Sequence, residues 1–221
     1  MAEQTDHWNA LRLYTKSGRD RLSSMADALF DVEQHSIPGD VVECGVWRGG
    51  NIMLARMLAP ERVCWLFDTF NGMTVPDPDL DVKRGGERAI DRYNLKLAGG
   101  TKWDAASFEE VIQGFQTLGL YDSSRLRFIG GPVEETLPGA FLTAPEMLPN
   151  LISILRLDMD WHLPTKIALE YLYPRISLGG FLIVDDYGHW LGCQKAVDDF
   201  FGDHMPSFRD VDYSCRVFRK G

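Results

Sequence analysis

The stretch "LISILRLDMDWHLPTKIALEYLYPRISLGGFLIVDD", residues 151–186, decides the fold. It opens with the apolar run "LISILRL" and closes with a second one, "GGFLIV". Between them, Thr165, Ala168, Leu169 and Leu172 recur at helical spacing up to Pro174. Strand, helix, strand is a right-handed crossover between parallel neighbours. Continuously apolar strands belong to a sheet covered on both faces. Each run ends in paired carboxylates, Asp158 with Asp160 and Asp185 with Asp186.

The same rhythm extends outward along the chain. "VVECG" (41–45), "RVCWLFD" ending at Asp68, and "RLRFIGG" read as three further strands. They alternate with the helical patterns "GGNIMLARMLA", "GERAIDRYNLKLA", "SFEEVIQGFQTLGL", "PVEETL" and "GCQKAVDDFFGDH". Residues ~7–36 read as one helix, with Leu22, Met25, Leu29 and Phe30 in register. "SFRDVDYS" and "CRVFRK" read as a closing strand pair. The expected fold is α/β: a doubly wound, mostly parallel, Rossmann-like sheet. The expected division is an N-terminal helical lid over 1–37 and the main domain over 38–221. The loop "NGMTVPDPDLDVKRGGE" (71–87) is long enough to be functional and is expected to share the role of lid.

Composition narrows the partners. The 221 residues are 45% hydrophobic and 25% charged, and 32 acids outweigh 23 bases for a net charge of −9. No Lys/Arg cluster suits nucleic acid. No apolar run of eighteen or more residues suits a membrane, and the polar N-terminus lacks a signal-peptide core. The expectation is a cytoplasmic protein with a small-molecule partner. Cys44, Cys64, Cys193 and Cys215 are scattered without a C-x-x-C pair, so they read as free thiols.

In such sheets ligands bind beyond the carboxyl ends of the strands. "VVECGVWRGG" is a strand, a glycine turn and a helix start, spaced Gly45-x-x-x-Gly49 rather than G-x-G-x-x-G. Asp68 follows Gly45 by twenty-three residues, the place for an acid that accepts ribose hydroxyls. Glu43 adds a carboxylate suited to an ammonium or sulfonium charge. This set fits S-adenosylmethionine better than a nicotinamide dinucleotide.

Neighbouring strand ends lie about 4.8 Å apart, so Asp158, Asp160, Asp185 and Asp186 would crowd together. Like charges that close repel, and a cation removes the conflict. Oxygen ligands without cysteine point to Mg²⁺ or another hard divalent ion. Asp158, Asp185 and Asp186 are the expected ligands, with Asp160 free as a base. His189 and His162 compete for that role. The bland alternative is a set of solvated strand-end acids, one of them a helix cap. Trp161 and Trp190 are candidates to pack on a sugar face.

"GDVVECGVWRGG", "FDTFNGM", "GGPVEETLP", "LRLDMDWHLPT", "LEYLYPRISLGGFLIVDDYG" and "GCQKAVDDFF" together resemble the TylF-type (macrocin O-methyltransferase) family, in order over residues 38–202. The resemblance implies a class I, S-adenosylmethionine- and Mg²⁺-dependent enzyme that methylates sugar hydroxyls on natural products, and a homo-oligomer. It puts the cofactor on Glu43, Gly45, Gly49, Asp68, Thr69, Phe70 and Gly131. It puts the metal on Asp158, Asp185 and Asp186, and the base on Asp160; His189 stays a competing base on its position after "VDDYG". The chain departs from the family at "DMDWHLPT", where "DGDLYEST" is common, and at Gly131-Pro132, where Gly-Trp is, so the family's usual substrates are not carried over. A catechol acceptor and a nucleotide-dependent oxidoreductase stand as alternatives.

Overall fold

The computed structural model describes residues 2–221. Five strands run parallel: β1 (Asp40–Cys44), β2 (Cys64–Asp68), β3 (Leu126–Gly130), β4 (Ile152–Leu157) and β5 (Ile176–Val184). The strand pair β6 (Phe208–Asp210) and β7 (Arg216–Arg219) closes the sheet antiparallel, in the order β3-β2-β1-β4-β5-β7-β6. The expected doubly wound sheet and its C-terminal pair are therefore present. The direction of winding reverses between β1 and β4, where a crevice opens at the carboxyl edge.

Alternation along each strand feeds two cores. Val42, Phe67, Leu155 and Leu182 face α7 (His162–Leu172) and α8 (Leu191–Phe201). Val41, Leu66, Ile154 and Ile183 face α2 (Arg19–Gln34) and α3 (Gly50–Leu58). The other helices are α1 (Ala2–Leu11), α4 (Ala89–Ala98), α5 (Phe108–Thr117) and α6 (Val133–Thr143). All four cysteines are free and buried, as their spacing suggested. Among the described residues no helix is long and apolar enough to cross a membrane.

The expected single helix over ~7–36 is two. Between Leu13 and Leu22 the chain offers no aliphatic residue at helical spacing, and Gly18 caps α2 in extended conformation. The connection docks on α3 instead: the Gly50 amide donates to the Tyr14 carbonyl at 2.9 Å. Leu22, Met25, Leu29 and Val32 bury α2 in the sheet core, whereas Phe30 is 52% exposed. Among the described residues of the N-terminal segment, Thr15, Lys16, Ser17 and Arg21 line the cavity over the strand ends.

The 71–87 loop is a strap pinned at several points. Asp81, 1% exposed, accepts the His162 amide of α7 at 2.8 Å and the Asp77 amide at 2.7 Å. Lys83 bridges to Trp190, and the Leu191 amide donates to the Val82 carbonyl. The Trp161 indole donates to the Thr74 carbonyl at 3.1 Å.

Candidate active site

One cavity of about 410 Å³ lies over the carboxyl edge. Its wall includes the residue ending or following each parallel strand: Gly45, Asp68, Gly131, Asp158 and Asp185. The ladder registers bring these positions together from five separate stretches of sequence.

Gly45 has φ +83, and a Cβ there would stand 2.0 Å from the Asp158 carbonyl oxygen. Glycine is thus imposed by the neighbouring strand's backbone as well as by any ligand. Asp68 turns one carboxylate oxygen to the amides of Val46 (2.8 Å) and Trp47 (3.0 Å) and the other to Phe70 (2.8 Å). Burial raises its pKa and these N–H groups pull it back. Thr69 and Gly131 also line this half. Gly49 and Phe70 do not: Gly49 caps α3 against the Phe115 ring, and Phe70 packs on Phe108 and Phe128. Glu134, which the sequence reading passed over, lines this half with one buried carboxylate oxygen unpartnered.

Glu43 stands behind the wall, 1% exposed. Its Oε1 accepts Asn51 at 3.0 Å and Arg156 at 2.6 Å. Burial pushes it up to about 8, against the pull of Arg156. Arg156 is the residue that sequence reasoning missed. It sits opposite Glu43 in the parallel register and donates also to Asp158 (2.7 Å), Ser17 (2.9 Å) and Asp185. The available signal was a lone charge inside an otherwise apolar strand, which needs a buried partner.

Asp158, Asp185 and Asp186 each bring a carboxylate oxygen within 4.8 Å of the others. Asp185 also accepts Arg21, which reaches in from the first turn of α2. One oxygen of Asp186 is buried with no partner. Burial raises Asp160, Asp185 and Asp186 above the usual carboxylate range, the neighbouring acids add to it, and Arg156 and Arg21 oppose it at Asp185. Two guanidiniums do not neutralise this set. An all-oxygen cluster with an orphaned acceptor fits a hard divalent cation. The donor half fits an adenosyl group equally: Asp68 borders the glycine turn, and Glu134 offers a free acceptor.

Asp160 lines the cavity with φ +62, close enough to Asp186 to share a proton. His189 lines it too, its Nδ1 lying 3.1 Å from the Tyr213 hydroxyl; burial and Lys83 lower its pKa. His162 is not on the wall; it starts α7 over Asp81. Trp190 is on the wall, whereas Trp161 lies behind it, edge-on to Trp103 and Trp190.

The family described as Macrocin-O-methyltransferase (TylF) matches residues 3–220. Demethyldecarbamoylnovobiocin O-methyltransferase of Streptomyces niveus is 36% identical, over 85% of this chain and 67% of that protein. A tetracenomycin rhamnosyl 4'-O-methyltransferase of Streptomyces olivaceus is 35% identical, over 86% and 68%. Mycinamicin III 3''-O-methyltransferase of Micromonospora griseorubida is 32% identical, over 86% and 71%. The solved structure of the O-methyltransferase NovP superposes with a TM-score of 0.78 at 32% identity, covering 94% of this chain and 82% of that one.

Proposed function

The chain belongs to the macrocin-O-methyltransferase (TylF) family and is an O-methyltransferase, and from that premise we propose that it transfers the methyl group of S-adenosylmethionine, with a divalent cation such as Mg²⁺, to a sugar hydroxyl of a small natural product. The observation that carries the reading is the meeting of Asp158, Asp185 and Asp186 oxygens within 4.8 Å on the cavity that Gly45 and Asp68 also line. Family membership removes the oxidoreductase alternative.

When bound, the donor supplies an activated methyl group and the cation acidifies and orients a chelated hydroxyl. The rest falls to this chain's residues. Asp68, Gly131 and Glu134 hold the adenosyl half. Asp158, Asp185 and Asp186 fix the cation, and Arg156 fixes two of those three carboxylates from behind. Asp160 would take the hydroxyl proton as the acceptor oxygen gained the methyl group and the donor was left as a neutral thioether. His189, neutral near pH 7, is the second candidate for that proton. Residues 15–21 and the 71–87 strap exclude water from above. Trp190 and Trp103, almost wholly buried, close the apolar side of the cavity.

The acceptor class is supported by what the relatives' names say of those proteins: a rhamnosyl 4' position in one and a 3'' position in another. The test is a methylation screen of the purified protein against glycosides, free nucleotide sugars and catechols, each with and without EDTA. Turnover of glycosides, lost in EDTA and restored by Mg²⁺, is expected. Turnover indifferent to EDTA refutes the metal role, and turnover confined to catechols refutes the acceptor class.

A further inference from the structure

Two guanidiniums reach the carboxylate cluster, and they are held differently. Arg156 is 2% exposed and fixed by Glu43, Ser17, Asp158 and Asp185 at once. Arg21 is 16% exposed and lines the cavity. Its Nη1 donates to Asp185 Oδ2, and its Nε donates to Asp212 Oδ2 at 2.7 Å. Asp212 lies outside the cluster, in the turn between β6 and β7. That turn is rigid, because Asp212 Oδ1 accepts the amides of Ser214 and Cys215, each at 2.8 Å. Arg21 therefore has one partner among the candidate metal ligands and one anchored beside them.

We infer that Arg21 is a tethered counter-cation of the cluster: it holds Asp185 until a divalent ion arrives, yields that oxygen while kept by Asp212, and so weakens the ion's binding. This rests on the metal reading proposed above. The physics is Coulombic. At a given distance a guanidinium repels a divalent ion twice as strongly as a monovalent one, and burial limits screening. It also stabilises the ion-free cluster by dividing the carboxylates' mutual repulsion. Both effects reduce affinity. The arrangement also ties the N-terminal segment to the metal centre, since Arg21 opens α2 directly behind Thr15, Lys16 and Ser17 on the cavity wall.

The experiment titrates Mn²⁺ alone into the full chain by calorimetry at pH 8. Arg21→Gln keeps N–H donors and removes the charge; it should bind Mn²⁺ about fivefold more tightly than wild type. Arg21→Lys keeps the charge and should stay within about twofold. Arg21→Met is the independent arm: it keeps the aliphatic stem, removes the charge and places no donor against Asp185, and it too should bind Mn²⁺ about fivefold more tightly. Either neutral variant decides the test if the other does not fold. Wild-type binding with the neutral variants unchanged or weaker overturns the counter-cation role and leaves the metal reading standing. Wild type that takes up no Mn²⁺ overturns both.

Discussion

Asp158 and Asp185 sit where β4 and β5 end, one residue past a ladder that is regular from Ile154 and Phe181 onward, with paired backbone on either side. The 71–87 strap crosses the same cavity with two isolated bridges and a few side-chain pins, Asp81 chief among them. The rim is placed by repetition: a shift of one residue would turn every side chain of a strand to the opposite face. The cover is placed by single contacts, each removable by itself. Changes at the rim should therefore cost chemistry or fold outright. Changes to the cover should cost acceptor binding by modest amounts.

The largest effect belongs to Asp185→Asn. The amide keeps the shape and removes a ligand charge that is worth several kcal/mol, so turnover should fall by roughly a thousandfold. S-adenosylhomocysteine affinity, read by calorimetry, should change little, because the donor half lies around Asp68. Equal loss of both would mean that Asp185 serves mainly to hold Arg156 and Arg21.

Gly45→Ala comes next and attacks the rim through the backbone. The left-handed conformation costs roughly 1–2 kcal/mol for a residue with a Cβ, and overlap with the Asp158 carbonyl adds to it. A loss of about 3 kcal/mol in unfolding free energy is expected, visible as a lower urea midpoint at constant slope. An unchanged midpoint would show that the turn can move away from β4, and that register does not hold the rim as described.

The cover answers on a smaller scale. Asp81→Asn replaces an acceptor oxygen with an amide group facing the His162 or Asp77 N–H, and a buried donor left unpaired costs about 1–3 kcal/mol. The strap carries Met73 and Thr74 on the cavity wall. The acceptor KM should rise about tenfold while donor affinity stays within about twofold. Parallel losses in both would join strap and rim into one unit.

The same contrast explains what could be read from the sequence. Strand-end acids and the glycine turn were legible because apolar runs of five or six residues announce buried parallel strands, and topology then assigns their ends to one edge. Asp158, Asp185 and Asp186 meet for that reason. Gly49 and Phe70 were harder: both neighbour the turn in sequence, but they face Phe115 or the Phe108–Phe128 pair. Arg156 announces by its charge inside "LISILRL" that it needs a partner but not which one, because periodicity gives a residue's face and not its partner. Glu43 and Arg156 are 113 residues apart, and only the register of β1 on β4 makes them neighbours. The pins of the cover, Asp81 on α7 and Arg21 on Asp212, have no periodic signal at all.

The smallest effect tests the cover where it meets solvent. Lys16, between α1 and α2, pairs with Asp104 across the cavity wall, with side chains 50% and 32% exposed, and its ammonium also lies 4.8 Å from the Trp47 ring centroid. An exposed pair of this kind contributes about 0–1 kcal/mol and is screened by salt. Lys16→Met keeps the aliphatic stem over Trp47 and removes the charge. Melting temperature should move by no more than about 4 °C, while S-adenosylhomocysteine should dissociate about two- to threefold faster in stopped flow at low salt. In 1 M KCl the variant and wild type should converge, since the Debye length falls to about 3 Å. A difference that survives high salt would assign the effect to packing on Trp47, and the exposed end of the cover would then be held, like the rim, by buried contact rather than by charge.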